Sequence, residues 1–210
     1  MVFPGSLFAN SFGIVGYSGI DGFICTACHG GGTVPAVAFG GPVTVSPGAS
    51  GTFTFTVTSN APASQVAAGL DITVNGGTLI AGEPDEQVLG DELTHTQPKD
   101  NDSKGRALWT FQWQAPPAPG TYTLFGAGNS VNLNMQNSGD NAAAATLPVT
   151  VPGLSGDANC DGRVTAADLP GLLLAIGLGT GASCASADAN GDGHINAGDI
   201  PATIAAIFSP

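Results

Sequence analysis

Twelve residues near the end of the chain occur twice. Asp157-Ala-Asn159-Cys-Asp161-Gly162-Arg163-Val-Thr165-Ala-Ala-Asp168 returns 31 positions later as Asp188-Ala-Asn190-Gly-Asp192-Gly193-His194-Ile-Asn196-Ala-Gly-Asp199. The same offset pairs Val164 with Ile195, Leu169 with Ile200, Pro170 with Pro201, Leu173 with Ile204 and Ile176 with Ile207. This is an internal duplication. Oxygen-bearing side chains stand at loop positions 1, 3, 5, 9 and 12, and position 7 (Arg163, His194) offers its backbone carbonyl. Glycine at position 6 permits the sharp turn, and hard oxygens at this spacing suit calcium. Asp replaces the EF-hand Glu at position 12, so the last ligand is shorter. After each loop the spacing predicts a helix, with Leu169, Leu172, Leu173 and Ile176 on one face. Pro170 and Pro201 fall in the first turn, where a missing N–H costs nothing. A solvated acidic turn explains neither the repeated glycine nor the helix phase.

Paired loops with Asp at position 12, each followed by one helix, resemble dockerin modules. The resemblance implies two Ca2+ ions and a cohesin-like partner. Dockerins that build cellulosomes carry a hydroxyl pair late in each loop, where this chain has Ala166-Ala167 and Ala197-Gly198. That departure directs the expectation toward contact with another domain of the same protein or with a neighbouring subunit. Cys160 and Cys184 both lie in this module. In an exported chain a disulfide is the default for such a pair, with two buried free thiols as the other reading. The bridge closes a 25-residue loop, worth about 3 kcal/mol in the chain-entropy model.

The net charge is −12, with only four Lys and Arg residues. So few cations cannot form a phosphate-binding face, which excludes nucleic acid as a natural partner. Two calcium ions would bring the formal charge from −12 to −8 and ease carboxylate repulsion. Only 10% of residues are charged, whereas glycine (32) and proline (15) are plentiful. That profile suits short strands joined by tight turns. No stretch approaches the roughly 18 uninterrupted apolar residues of a membrane helix. The opening twenty residues lack a basic start and are broken by Pro4, Gly5, Gly13 and Gly16, so they read as mature sequence of an exported, extracellular or surface protein.

Three regions are expected: an arm over 1–40, a β-domain over 41–152 and the calcium module over 157–210. In the second, Val43–Ser46, Thr52–Thr58, Leu70–Val74, Thr78–Ala81, Ala107–Gln114, Thr121–Phe125 and Thr146–Val151 read as strands between Pro and Gly punctuation. Trp109, Phe111 and Trp113 share one face of their strand. About seven short strands favour an immunoglobulin-like sandwich, and the chain as a whole is mainly β. Glu83–Arg106 is polar and too long for an ordinary connection, which reads as a functional or mobile loop.

In the arm, Cys25-Thr26-Ala27-Cys28-His29 is a Cys-x-x-Cys-His motif. Two thiols at this spacing can add to the two vinyl groups of one haem, and the adjacent imidazole then reaches the iron. A dithiol redox pair would open a helix beside a βαβ unit, and a zinc ribbon would need a second ligand pair. Neither context is present, although both readings stay open. So short an arm cannot bury a haem alone. Phe12, Ile14, Tyr17, Ile20, Phe23 and Ile24 are therefore expected to form one wall, and the sandwich or a neighbouring subunit the other.

Gly16-Tyr17-Ser18-Gly19, the Cys-x-x-Cys-His-Gly-Gly run, Leu93-Thr94-His95-Thr96 and Trp113-Gln114-Ala115-Pro116 together resemble bacterial secreted choice-of-anchor proteins with reeler-like domains. The likeness covers residues 16–151. It implies that His95, the threonine-flanked histidine of that family, is the second axial ligand of one covalent haem c. Met135 is the alternative to His95, and His194 belongs to a calcium loop.

The expected function is that of an extracellular monohaem c-type cytochrome-like surface protein, assembling into a homopolymer or filament and transferring electrons to a redox partner. The alternative is a structural or adhesive surface protein in which haem, calcium and disulfide stabilise the fold. Both share every residue named above. Residues 1–24 carry one charge, Asp21, and the assembly expectation is that the N-terminal arm or the C-terminal module docks on the next subunit, with monomers expected once residues 1–11 are deleted. No Ser-His-Asp set, activated nucleophile or carboxylate pair is expected outside the calcium loops, so the chain does not read as an enzyme.

Overall fold

The computed structural model describes residues 10–178 and 184–209. The chain divides into two compact units. The first comprises Met1–Val43, Gly51–Gln114 and Tyr122–Val149, and the second Thr44–Ser50, Ala115–Thr121 and Thr150–Pro210. Residues 1–9, which belong to the arm of the assembly expectation, lie outside the described residues. Among the described residues no helix is long and apolar enough to cross a membrane.

Among the described residues eleven strands form an immunoglobulin-like sandwich: β1 (Gly30–Gly31), β2 (Ala36–Gly40), β3 (Ser50–Thr58), β4 (Ala67–Val74), β5 (Thr78–Ile80), β6 (Glu86–Leu89), β7 (Glu92–His95), β8 (Lys99–Asp100), β9 (Arg106–Gln114), β10 (Gly120–Val131) and β11 (Ser138–Val151). One sheet runs β1-β11-β10-β4-β7-β6, with β8 also on β4, and the other runs β2-β3-β9-β5. Strict alternation builds the core between them. Phe53, Phe55 and Val57 point inward from β3, and Trp109, Phe111 and Trp113 from β9, all fully buried. Phe111 stacks on Phe53 at 6.0 Å between ring centroids, and Phe53 meets Trp113 edge-on at 6.1 Å.

Several strands differ from expectation. Val43–Ser46 is not a strand; Thr44 alone makes a bridge, to Thr150. The segment Glu83–Arg106 is not a loop but carries β6, β7 and β8. Leu89 pairs with Glu92, leaving a two-residue turn in which Gly90 takes φ 64°. Part of the charge that made it read as a loop is paired locally. Lys99 pairs with Glu83 and Asp85 and sits over the Trp109 ring. Strands β10 and β11 run well past Thr121–Phe125 and Thr146–Val151, through Gly, Ala and Asn residues of low strand propensity. Small residues are required there: a Cβ on Gly126 would strike Phe39 and Phe55 of the opposite sheet. The arm also contributes β1 and β2 to the sandwich.

In the second unit, α1 (Asp168–Leu178) and α2 (Asp199–Ile207) follow the two duplicated loops. Ala158, Leu172 and Ala187 form a small core, with Ile176, Ile195 and Ile200 packed against it. Leu173 is not on the core face: it is 59% exposed, and its repeat mate Ile204 is 41% exposed. The Cys160–Cys184 disulfide, with Cα atoms 5.8 Å apart, ties the first loop to the 3-10 turn Ala185–Ala187 that leads into the second.

Truncating Phe111 to Ala should cost about 3–5 kcal/mol, as for other buried aromatics. Thr110→Ala, on the opposite face of β9, should stay within about 0.5 kcal/mol. Denaturant midpoints compare the two, and equal costs would place the core elsewhere.

Candidate functional site

A strap formed by residues 12–18 lies on the outer side of the larger sheet, held by side chains from β4, β6 and β7. Ile14 N donates to Thr94 Oγ1 at 3.3 Å, Gly16 N donates to Glu92 and Tyr17 N donates to Asp71 Oδ2 at 2.8 Å. Gln87 Nε2 donates to the carbonyls of both Phe12 and His95, the latter at 3.0 Å. Beyond the strap, a single 3-10 turn (Cys25–Ala27) closes with Cys28 N and His29 N both donating to Cys25 O, at 3.1 and 2.9 Å. One tight turn thus sets Cys25, Cys28 and His29 along one side. Gly30–Gly31 then pairs in parallel with β11, Gly30 opposite Ser138 and Gly31 opposite Asp140. Only glycine fits the next position, because a Cβ on Gly32 would lie 2.4 Å from the carbonyl oxygen of Gly139.

Between these segments and the sheet lies a cavity of about 550 Å³. Cys25, Cys28, His29, His95, Ile14, Tyr17, Leu70, Val131 and Leu133 are among its lining residues. That volume is in the range of cofactor pockets. The candidate attachment residues and His95, far apart in sequence, thus share one cavity. Met135 stands at its rim fully exposed, whereas His95 is buried at 8% exposure and lies in β7 rather than at the edge of a loop. Of the expected wall, Ile14 and Tyr17 line the cavity, while Phe12 and Phe23 are 72% and 62% exposed.

Both imidazoles are held by one nitrogen. His29 Nδ1 lies 2.9 Å from Asp140 Oδ2, and Asp140 is buried. His95 Nδ1 lies 3.1 Å from both the carbonyl oxygen and the N–H of Leu70. In the tautomer that donates Nδ1–H to Leu70 O, Nε2 keeps its lone pair for a metal. Burial holds the His95 imidazolium form below its ordinary range, and the nearby His29 ring acts in the same direction. The ring is therefore neutral, the form a metal needs. Gly69 makes room for it, since a Cβ there would come within 2.6 Å of the His95 ring. Asn129 also lines the cavity, buried and with Oδ1 lacking a partner. Burial pushes the Cys25 thiol up to about 12, with the Asp71 carboxyl adding to the effect. A thiol so reluctant to ionise is the opposite of a dithiol-exchange nucleophile.

Three groups here were not foreseen. Asp140 and Asn129 sit in glycine- and asparagine-rich segments with no motif to mark them. The expectation of no carboxylate pair outside the calcium loops is corrected by Asp71 and Glu92, which contact one another beneath the strap. Burial first, and then Glu92, raise Asp71 to about 8, against the opposing bond from Tyr17 N–H. Asp71 faces Thr94 across β4 and β7, so the pair arises only when the unforeseen hairpin joins the sheet. The Gly90-Asp91 dipeptide was the signal that could have revealed it.

The two duplicated loops close alike. Asp157 accepts from Asp161 N (3.1 Å) and Gly162 N (2.9 Å), and Asp188 from Asp192 N (3.1 Å) and Gly193 N (2.8 Å). Asp168 accepts from Asn159 N and Thr165 N, and Asp199 from Asn190 N and Asn196 N. Gly162 and Gly193 take φ 81° and 84°, as position 6 demands. Arg163 N and His194 N donate to Asp161 and Asp192. Among the described residues no three His, Cys, Asp or Glu side chains converge on a ready cation cage; the carboxylates are turned onto backbone N–H groups. The donor set is nonetheless all hard oxygen. Burial, followed by the nearby Asp168 and Asp161 carboxylates, raises Asp157 above the usual carboxylate range, a cost that a bound cation would relieve.

Residues 155–207 match the family model described as the dockerin type I domain. This part of the chain is thus similar to dockerin modules, in line with the calcium-type spacing of its two loops. No curated protein matches the chain. Among solved structures, it is similar to the CARDB domain of the PF1109 protein from Pyrococcus furiosus, solved with di-metal ions, at 19% identity and TM-score 0.33 over 59% of this chain and 94% of that one. A cohesin module from a Clostridium perfringens family 33 glycoside hydrolase shares 9% identity at TM-score 0.37, over 57% and 97%. Both likenesses are too loose to carry an argument about function.

Two tests follow from this geometry. Asp71 binds its proton more tightly folded than unfolded, between its ordinary value near 4 and about 8. Its contribution is full below that window and is lost as pH rises through it. Denaturation midpoints should therefore fall less steeply from pH 4 to 8 in Asp71→Asn than in the parent chain, and parallel slopes would count against this assignment. Separately, chelation should expose residues 157–209 to protease, faster once Cys160–Cys184 is reduced. Equal resistance with and without chelator, at matched ionic strength, would argue that the loops bind no metal.

Proposed function

We propose that the chain is an exported surface protein carrying one covalent haem c. On this reading Cys25 and Cys28 would hold the haem by thioether bonds, and His29 and His95 would hold its iron. The observation that carries it is the cavity of about 550 Å³ shared by all four residues. The hydrogen bonds that hold both Nδ1 atoms support the same assignment. When bound, the haem supplies a one-electron couple. The chain's own part is to fix the two rings, to exclude water with Ile14, Tyr17, Leu70 and Val131, and to keep His95 neutral. The dockerin module supports an extracellular setting and a docked partner. Asp157, Asn159, Asp161, Thr165 and Asp168, with the Arg163 carbonyl, are the proposed ligands of one calcium. Asp188, Asn190, Asp192, Asn196 and Asp199, with the His194 carbonyl, are those of a second.

A second reading, a structural or adhesive surface protein, is favoured by the dockerin match, which concerns a non-catalytic docking module and says nothing of electrons. Leu173, Leu174, Ile204 and Phe208 are all exposed on or next to the module's helices, and they offer an apolar face to a cohesin-type partner. Self-association remains part of both readings. Its support among the described residues is the exposure of Phe12, Val15, Ile20 and Phe23 along the arm.

Expression in a bacterial periplasm with haem-attachment machinery separates the cofactor question from the rest. The expected product keeps one haem through denaturation, seen as a mass increase and a haemochrome spectrum, and loses it in Cys25→Ala/Cys28→Ala. His95→Ala should retain the covalent haem but turn its spectrum from low-spin to high-spin. A colourless product, where a control c-type cytochrome matures normally, would overturn the haem reading and leave the structural one.

A further inference from the structure

The cavity has one group whose role neither the motif nor the dockerin match supplies. Asp140 is 2% exposed on β11, and both of its carboxylate oxygens are engaged. Oδ1 accepts from Asn132 N at 2.9 Å, and Oδ2 lies 2.9 Å from His29 Nδ1. Its backbone carbonyl accepts from Gly32 N at 3.0 Å, three residues beyond His29. The imidazole and its acceptor are thus locked together twice, by the side-chain bond and by the ladder next to it. No Lys or Arg lines the cavity to offset the carboxylate.

We infer that Asp140 is the positioning residue of this site: it holds His29 by Nδ1, turns Nε2 into the cavity and sets a low reduction potential for a haem bound there. The inference rests on the haem reading above. A histidine that ligates through one nitrogen is oriented by whatever accepts from the other, and a charged acceptor makes it a stronger base. The bond to a carboxylate is also charge-assisted, and about twice as strong as one to a neutral oxygen. A buried negative charge held against the ligand ring favours the ferric over the ferrous form, because charge is screened weakly away from water. Asn132 matters as well. By occupying Oδ1 it prevents the carboxylate from rotating, and its own side chain ties down the lip of residues 132–137: Asn134 N donates to Asn132 Oδ1, and Asn132 Nδ2 donates to Ser138 O.

The test uses the full haem-loaded chain and its Asp140→Asn and Asp140→Glu variants, titrated by spectroelectrochemistry with haem content and melting temperature recorded for each. Asp140→Asn keeps an oxygen for Asn132 but removes the charge. It should shift the ferric-to-ferrous equilibrium at least tenfold toward ferrous, which is about 59 mV for a one-electron couple. Asp140→Glu should restore most of that shift even if it is less stable. A melting temperature that falls in Asp140→Asn while the potential stays unchanged would show a purely structural role and overturn the inference. So would a potential in Asp140→Glu matching that of Asp140→Asn. Parent protein that matures without covalent haem fails at the earlier step, and overturns the haem reading itself.

Discussion

Two residues of parallel pairing hold the first unit's site together. Gly30 and Gly31 lie against Ser138 and Asp140, and everything in the preceding motif is placed by that contact. At the next position no side chain could enter, since a Cβ on Gly32 would strike the Gly139 backbone. So close an approach lets a strand of two residues, too short to be stable alone, fix the chain just past His29. The strap upstream is fixed differently, by polar side chains reaching out from the sheet to its backbone. One end of the segment is therefore held by a ladder and the other by Asp71, Glu92, Thr94 and Gln87.

What could be read from the sequence depended on how local the determinants were. The calcium loops, the Cys-x-x-Cys-His run and the Trp109–Trp113 alternation each sit within a dozen residues, and their spacing alone carries them. The fold class followed from the same kind of signal. The hairpin at Glu86–His95 was hidden because its strands are four residues long and carry Glu86 and Glu92, whose hydrogen-bond donors lie outside the hairpin at Gly82, Glu83 and Gly16. The glycine-rich course of β10 was hidden because its residues are chosen by Phe39, Phe55 and Val57 on the other sheet, not by strand preference. The same non-locality concealed Asp140 and the Asp71–Glu92 contact. Each is made by a strand partner some twenty to a hundred residues away, and no spacing rule reaches that far. His95 was indicated by family resemblance, and its burial in β7 beside Gly69 depends on that same hidden hairpin.

The second unit shows duplication working at the level of single hydrogen bonds. Position 1 of each loop takes the N–H groups of positions 5 and 6, and position 12 takes those of positions 3 and 9. A sequence that repeats its turn residues repeats its backbone, because each Asx-type bond is made within the loop itself. Yet the helices that follow bury only part of what their pattern offers. Leu173 and Ile204 occupy equivalent places and both face solvent, so the repeat preserves an outward apolar position as faithfully as it preserves the inward ones.

The positions of the cysteines along the chain have a consequence for the order of events during biogenesis. The N-terminal cysteines leave the ribosome long before Cys160 and Cys184 exist. Directional synthesis therefore separates the two thiol pairs in time, so that Cys25 and Cys28 can be placed in the fold before Cys160 and Cys184 are available to compete for them.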